Sequence, residues 1–301
     1  MVSPSCTKAP LLKANQTVGI IAPASPVSKS EIAQGLHLIE SFPLEVKLAS
    51  HLFHRMSYLA GSDQDRLSDL HEMFSDPDVK AIFCARGGYG SARLLDKIDF
   101  NLIRDNPKIM IGFSDLTALL IALHKESGLV TIHGPVLSDL PKANNWHHLS
   151  KLITTSHKPC IPLVQGSVIR EGEARGILLG GNLSTICSLV DTPFLPSFGG
   201  VILFLEEKGE SPYRVDRMLT QLLLSGRLAQ VSALVIGQME DCGKQGTIDS
   251  LLRERLAGLK MPVVTGLPVG HGDQNVSVPL GLPALLDTDK MVLEIEEASV
   301  V

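Results

Sequence analysis

Residues 108–125 read KIMIGFSDLTALLIALHK. Lys108–Gly112 is a short apolar run of strand length, and Phe113–Ser114 forms a small-residue turn. Asp115–Lys125 is apolar nearly all round, which describes a largely buried helix. A strand that turns tightly into a helix is the repeating unit of a parallel, doubly wound sheet. The unit recurs on both sides. Thr17–Ala22 (TVGIIA) is an apolar strand closed by Pro23, and Ser28-Lys29-Ser30-Glu31 opens a helix as a capping box, with Ile32, Leu36 and Ile39 at helical spacing. Ser62–Phe74 repeats the helix, closed by Asp76-Pro77, and Val79–Ala85 the strand. Val130–His133 ends the series at Gly134-Pro135. The fold class is α/β, with a parallel doubly wound N-terminal domain.

From about Pro141 to Gln165 the pattern weakens, with a polar run (KANNWHH) and no clear period. The domain linker is therefore placed at 141–168, between a first domain over 1–140 and a second over 169–301. The second opens on Gly172–Gly181 and the apolar strand Val201–Leu205. A helix follows with Pro212 at its start and Val215, Met218, Leu219, Leu222 and Leu223 on one face. Val231–Gly237 and Pro262–Thr265 read as strands around an amphipathic helix, Ile248–Leu256, and Met291–Ile295 alternates like an edge strand. The second domain is mixed, and richer in strands toward its tail.

Composition bounds the function. At 301 residues, 44% hydrophobic and 20% charged, the chain is an ordinary globular protein with room for two cores. A net charge of -5 and 4% aromatic residues count against nucleic acid as the main partner. No apolar run approaches the ~18 residues of a membrane helix. The N-terminal MVSPSCTKAPLLKANQ lacks the apolar core of a signal peptide. Five scattered cysteines without a C-x-x-C point to a reducing compartment, the cytoplasm.

Chemistry concentrates at strand ends. Gly112-Phe113-Ser114-Asp115 has the layout of a nucleophile elbow, although Leu116 stands where G-x-S-x-G needs its second glycine. Ser114 reads either as an exposed nucleophile or as a helix cap. Two of the ten histidines can reach a cleft: His133 at a strand end, and His271 between Gly270 and Gly272. Glu206 and Glu207 end the strand VILFL, and alternation points them to opposite faces, so one at most can orient an imidazole. His51 and His54 are spaced as metal ligands but have no carboxylate or further ligand in a motif, so no metal is expected. Arg86-Gly87-Gly88-Tyr89-Gly90 fails the dinucleotide pattern, because Arg93 occupies the last glycine position, but such a loop can present an amide to an oxyanion.

In order along the chain, APASP, ARGGYGSARLL, KIMIGFSDLTALL, TIHGPV, LLGGNLS, ILFLEEKGESPYRVDRML and PVGHGDQNVSVPLG resemble the blocks of the LD-carboxypeptidases, the muramoyltetrapeptide carboxypeptidase family of serine peptidases. The resemblance runs from about Gly19 to Ile295. It implies a flavodoxin-like N-terminal domain, a smaller β-rich C-terminal domain and a Ser-Glu-His triad completed between them. Ser114 would be the nucleophile, Glu206 the carboxylate and His271 the base, with the backbone amides of Gly88 and Asp115 as oxyanion hole. The implied reaction removes terminal D-alanine from murein tetrapeptides during cytoplasmic cell-wall recycling, in a homodimer, with no cofactor and no metal. Asn182, in the GGN block, is a candidate substrate contact or a turn asparagine. Two other readings stand beside this one. One is an immunity-type carboxypeptidase that cleaves a peptide–nucleotide antibiotic, which would want an aromatic side chain in the cleft. The other is a non-catalytic muropeptide-binding protein.

Overall fold

The computed structural model describes residues 6–142 and 145–301. Residues 1–5, where the N-terminal reading begins, and 143–144, within KANNWHH, lie outside the described residues. In the first half, strands and helices alternate as β1 (Thr17–Ile21), α1 (Lys29–Glu40), β2 (Glu45–Leu48), α2 (Asp63–Ser75), β3 (Val79–Cys84), α3 (Phe100–Asp105), β4 (Ile109–Gly112), α4 (Thr117–Ser127) and β5 (Thr131–His133). The five strands are parallel, in spatial order β2-β1-β3-β4-β5. Capping boxes open α1 at Ser28/Glu31 and α2 at Ser62/Asp65, each satisfying two backbone donors that a helix start would leave unpaired.

The second half continues through α5 (Asn145–Thr154), β6 (Cys160–Pro162), β7 (Val168–Arg170), β8 (Glu173–Asn182), α6 (Leu183–Ser188), β9 (Val201–Lys208), α7 (Pro212–Leu224) and β10 (Ala233–Glu240). It ends with α8 (Gln245–Leu256), β11 (Val263–Thr265), β12 (Val278–Leu280), β13 (Pro283–Asp287) and β14 (Val292–Ile295). Eight of these strands form a mixed sheet in the order β6-β14-β13-β8-β9-β10-β11-β7. Its centre, β8 to β11, is parallel, and its flanks are antiparallel. The second sheet thus has eight strands against six in the first. Among the described residues, no helix is long and apolar enough to cross a membrane.

Two features differ from the sequence expectation. The stretch read as a linker contains α5, with Trp146, Leu149, Leu152 and Ile153 buried. Its apolar face is four residues wide, and the polar run around it masks the period. The second feature is β12, which leaves its neighbours in sequence and pairs antiparallel with β5, Val278 opposite His133. The first sheet is therefore closed on one side by a strand from the far end of the chain.

Helix α4 explains why residues 118–123 are apolar on every side: it lies between the sheets, touching β5 and β12 of one and β8 of the other. Ala118 through Leu123 are at most 1% exposed. The contact with β8 is close because Gly181 (φ +141°) has no side chain, and a Cβ there would lie 2.5 Å from Thr117 Oγ1. The next amide, Asn182 N–H, donates to that same Oγ1 at 3.0 Å. Gly181→Ala therefore adds backbone strain and a collision where the sheets meet, and unfolding free energy should drop by about 2–4 kcal/mol. Gly246→Ala, on α8 with none of the described residues within 4 Å of the added Cβ, should be neutral or slightly stabilising. Urea denaturation of both variants checks this; equal effects would remove the steric explanation.

Candidate active site

Ser114 follows β4 at the C-terminal edge of the first sheet, where α/β folds gather their ligands. Its backbone sits at φ +64°, a region that non-glycine residues seldom occupy. The chain turns there from strand into a short 3₁₀ turn (Ser114–Leu116) and then α4, which leaves the hydroxyl proud of the sheet. This is the geometry of a nucleophile elbow. Gly112 is the small residue the turn requires: a Cβ on it would meet Leu116 Cδ1 at 2.7 Å.

His271 comes from the other half of the chain. Its Nε2 lies 3.0 Å from Ser114 Oγ, and its Nδ1 lies 2.7 Å from Glu206 Oε2. With the Nδ1 proton donated to the carboxylate, Nε2 is left to accept the serine proton. Glu206 is fully buried; among the described residues its Oε1 has no hydrogen-bond partner, and its Oε2 is bonded to the imidazole. A carboxylate in so dry a place acts strongly on the charge of the ring beside it.

The loop carrying His271 is tied down on both sides. Gln238, on β10, accepts from Gly272 N–H at 2.7 Å and donates to Gln274 C=O at 2.9 Å. Asn275 Oδ1 accepts from Gly270 N–H at 3.2 Å, and Asn275 N–H donates to Asn145 Oδ1 at 3.0 Å. Gly270 (φ +136°) allows close approach, since a Cβ there would lie 3.0 Å from Glu206 Oε2. Gln238, Asn275 and Asn145 escape a reading of motifs, although Gln238 immediately follows Gly237 of the strand VSALVIG.

The paired acids diverge as strand alternation requires. Glu207, on the opposite face of β9, accepts from Asn182 Nδ2 (2.9 Å), Ser184 N–H (2.8 Å) and Lys208 N–H (2.9 Å). Burial pushes its carboxyl above the usual range, and those three donors act against the shift. Asn182 is spent in the same network: its Oδ1 accepts from Ser184 Oγ, Thr185 N–H and Thr185 Oγ1, capping α6. That commits its side chain to the fold around Glu206, whose strand neighbour it is.

His133 does not reach Ser114. It is wholly buried, edge-on to Phe113 and Phe204, and neither ring nitrogen has a hydrogen-bond partner among the described residues. Burial, reinforced by the nearby His271, pushes its pKa down to about 3. Phe113 lies between the two imidazoles, with its centroid 4.7 Å from that of His271 and 5.9 Å from that of His133.

The glycine loop lies against the serine. A Cβ on Gly87 would stand 3.3 Å from Ser114 Oγ, and Gly88 (φ +106°) is pressed on Ser25 so closely that a Cβ would meet its Oγ at 2.2 Å. Ser25 Oγ in turn accepts from Tyr89 N–H at 3.1 Å. Asp115, next to Ser114, accepts from Ser91 N–H at its carboxylate (2.8 Å) and from Ser91 Oγ at its carbonyl (2.7 Å). A cleft of about 330 Å³ opens over Gly87, Gly88, Ser114 and His271, bounded also by Arg86 and Asp139. Trp146 lines a separate groove, between α1 and α5.

His51 and His54 do find carboxylates, but from α2: His51 Nδ1 lies 2.7 Å from Asp69 Oδ1 and His54 Nδ1 lies 3.3 Å from Asp65 Oδ2. With Asp65 they form a group whose ligand atoms lie within 4.8 Å of one another, close enough to hold a metal ion. Sequence spacing could not show this, because the acids are a helix away. Arg66 and Asp63 of the same helix brace the glycine loop, with Arg66 Nη1 donating to Gly90 C=O at 2.8 Å.

Two family models match: the LD-carboxypeptidase N-terminal domain over residues 18–134 and the LD-carboxypeptidase C-terminal domain over residues 175–286. A probable murein peptide carboxypeptidase of Bacillus subtilis is 38% identical over 299 residues, covering 95% of this chain and 93% of the relative. The solved muramoyltetrapeptide carboxypeptidase of Oxalobacter formigenes superposes with a TM-score of 0.83 at 30% identity, over 93% of this chain and 98% of that one. A microcin C7 self-immunity protein, in an inactive mutant apo state, superposes at 0.91 with 25% identity, over 98% and 99%.

Two substitutions test the electrostatics. Glu207→Gln turns an acceptor of three hydrogen bonds into a group with a donor facing donors, so stability should fall by about 1–3 kcal/mol without a change of fold. His133→Phe bears on pH. The unfolded chain protonates this histidine near 6.5, and the native state holds it neutral down to about 3. Stability therefore drains away as pH falls through that window, by about 1.4 kcal/mol per unit. Between pH 6 and 4 the unfolding free energy of H133F should fall less steeply than that of the wild type by that slope. Parallel curves would show that His133 is not held neutral.

Proposed function

The chain belongs to the LD-carboxypeptidase family, and on that premise we propose that Ser114, His271 and Glu206 perform its peptidase chemistry. The protein is a serine-type carboxypeptidase. Its substrate in this reading is a murein tetrapeptide, cut between the L-centre of the diamino acid and the terminal D-alanine, as the names of its relatives support. The observation that carries the assignment is the chain of two hydrogen bonds, 3.0 and 2.7 Å, from Ser114 through His271 to Glu206.

The steps follow from that chain. His271 Nε2 accepts the Ser114 proton as Oγ attacks the scissile carbonyl. The imidazolium that forms is held by Glu206, which also fixes the tautomer. The tetrahedral oxyanion is met by the amides of Gly88 and Asp115, a contribution that typically amounts to ~10²–10³ in rate per donor. The C–N bond then breaks, His271 gives its proton to the departing D-alanine amine, and Ser114 is left as an ester. Water, deprotonated by the same imidazole, hydrolyses the ester and restores the hydroxyl. Glu207 and Asn182 serve from behind, positioning β8, β9 and the start of α6 so that Glu206 meets the imidazole.

We assign the working enzyme to the cytoplasm as a homodimer. The five cysteines are all unpaired, which supports a reducing compartment, and the family resemblance supports the dimer. A second reading, cleavage of a peptide–nucleotide substrate, is favoured by the likeness to the microcin self-immunity protein. Against it, the aromatic lining the cleft is Phe113, buried between two histidines, and Trp146 lies elsewhere.

Incubation with a murein tetrapeptide should release D-alanine, read by mass spectrometry. Ser114→Ala and His271→Ala should reduce release to background with thermal unfolding unchanged within a few degrees. Glu206→Gln should lower kcat by about 10³–10⁴. Glu207→Gln, assayed below its melting temperature, should stay within about tenfold of the wild type, because its hydrogen bonds lie on the face of β9 away from the imidazole. A dead Glu207→Gln beside an active Glu206→Gln would reverse the choice of carboxylate. Release of the nucleotide moiety from an aminoacyl-nucleotide amide, with the tetrapeptide left intact, would select the second reading.

A further inference from the structure

The steps above leave the charges around the cleft unused. Arg86 lines it together with Glu31, Ser114, Asp139 and His271. Arg86 directly precedes Gly87, whose backbone abuts Ser114. Its Nη1 donates to Glu31 Oε1 at 2.9 Å, the hydrogen bond that holds this guanidinium. Glu31 is itself fixed, since Oε2 accepts from Ser28 N–H (2.8 Å) and Ser28 Oγ–H (2.7 Å) in the capping box of α1.

Stability does not account for this pair. Both side chains are nearly half exposed, 46% for Arg86 and 42% for Glu31, and ion pairs so open to water contribute little. What the pair does is geometric: a rigid helix start aims a guanidinium at the mouth of the cleft. One N–H is spent on Glu31, and the fork of the remaining donors suits a planar carboxylate. Asp139, which also lines the cleft, is paired with Lys142 at 2.5 Å, and Arg86 is the cation among the lining residues.

An enzyme that removes one residue from a chain end has to recognise that end. The free α-carboxylate of the leaving residue lies within about one residue, ~3.8 Å between Cα atoms, of the bond being cut. Arg86 is one residue along the chain from Gly87, the residue that abuts Ser114, and lines the same cleft. We propose that Arg86 binds the free α-carboxylate of the substrate's C-terminal residue and, held by Glu31, restricts cleavage to the chain end. This rests on the carboxypeptidase reading and adds to it the group that makes the reaction an exopeptidase reaction.

The test separates binding from turnover. With S114A, calorimetry compares a murein tetrapeptide with its C-terminal carboxamide; the acid should bind about 10–10²-fold tighter, as expected for a charge-assisted pair. In S114A/R86Q that preference should vanish, through loss of affinity for the acid alone, and S114A/R86K should restore part of it. On the active enzyme, R86Q should raise KM for the acid far more than it lowers kcat. A preference that survives R86Q, or an equal loss for acid and amide, overturns the proposal and leaves Arg86 a loop-bracing residue. D-alanine release by the wild type is read separately: its failure counts against the proposed activity, while the binding preference of S114A still decides the role of Arg86.

Discussion

The hydrogen bond from Ser114 to His271 joins residues 157 apart in the chain, and the architecture is arranged around holding it. Ser114 is fixed by strain, in a left-handed conformation at the end of a buried strand. His271 is fixed by tension of another kind. Its loop leaves β11 in the second sheet and enters β12 in the first, so the loop is strung between two sheets. The β12 register, Val278 opposite His133 and Leu280 opposite Thr131, sets where the loop ends relative to β4 and β5. A slip of one residue would turn every β12 side chain to the other face and move the imidazole off the serine.

The electrostatic arrangement follows from the same crossing. Loop closure brings His271 over Glu206, which is dry and bonded to the imidazole, while Glu207 is bonded three times within its own half. An unpaired buried carboxylate is costly, so Glu206 favours the arrangement in which a histidine lies over it. Thus the group that orients the imidazole also favours delivery of the loop. The neutral His133 behind Phe113 adds no competing charge at this spot, because burial prevents its protonation at ordinary pH.

Much of this was legible in sequence because it is local. Strand–turn–helix units, the capping box at Ser28, the turn at Ser114 and the divergence of Glu206 from Glu207 all depend on residues within a few positions of one another. The ordered blocks added the pairing of Ser114 with His271 over His133, which spacing alone left open. What escaped depends on distant chain. Asp65 and Asp69 reach His51 and His54 only because α2 folds back on the preceding loop. Membership of β12 in the first sheet has no local signature, since three residues, Val278–Leu280, suit either sheet equally. Helix α5 was hidden by composition: His147, His148 and Lys151 dilute a face that Trp146, Leu149, Leu152 and Ile153 complete.

The crossings also change what a boundary in this chain means. Sequence divides it near residue 141, where periodicity falters, but the physical seams do not respect that point. β12 covers the β5 edge of the first sheet, and without it that strand would present unpaired N–H and C=O groups, a poor edge for a soluble fold. Asn145, from the stretch between, accepts from Asn275 N–H and so steadies the His271 loop. The N-terminal arm bonds to the opposite end of the chain, Leu11 N–H to Val301 C=O at 2.9 Å and Val301 N–H to Ala9 C=O at 3.1 Å. Helix α4 buries its faces against both sheets, so separating them would expose a helix that is apolar all round. A shared helix, an exchanged strand and a terminal clasp make the two sheets one cooperative object. That is the condition under which a serine from one sheet and a histidine hung from the other can hold a 3.0 Å contact.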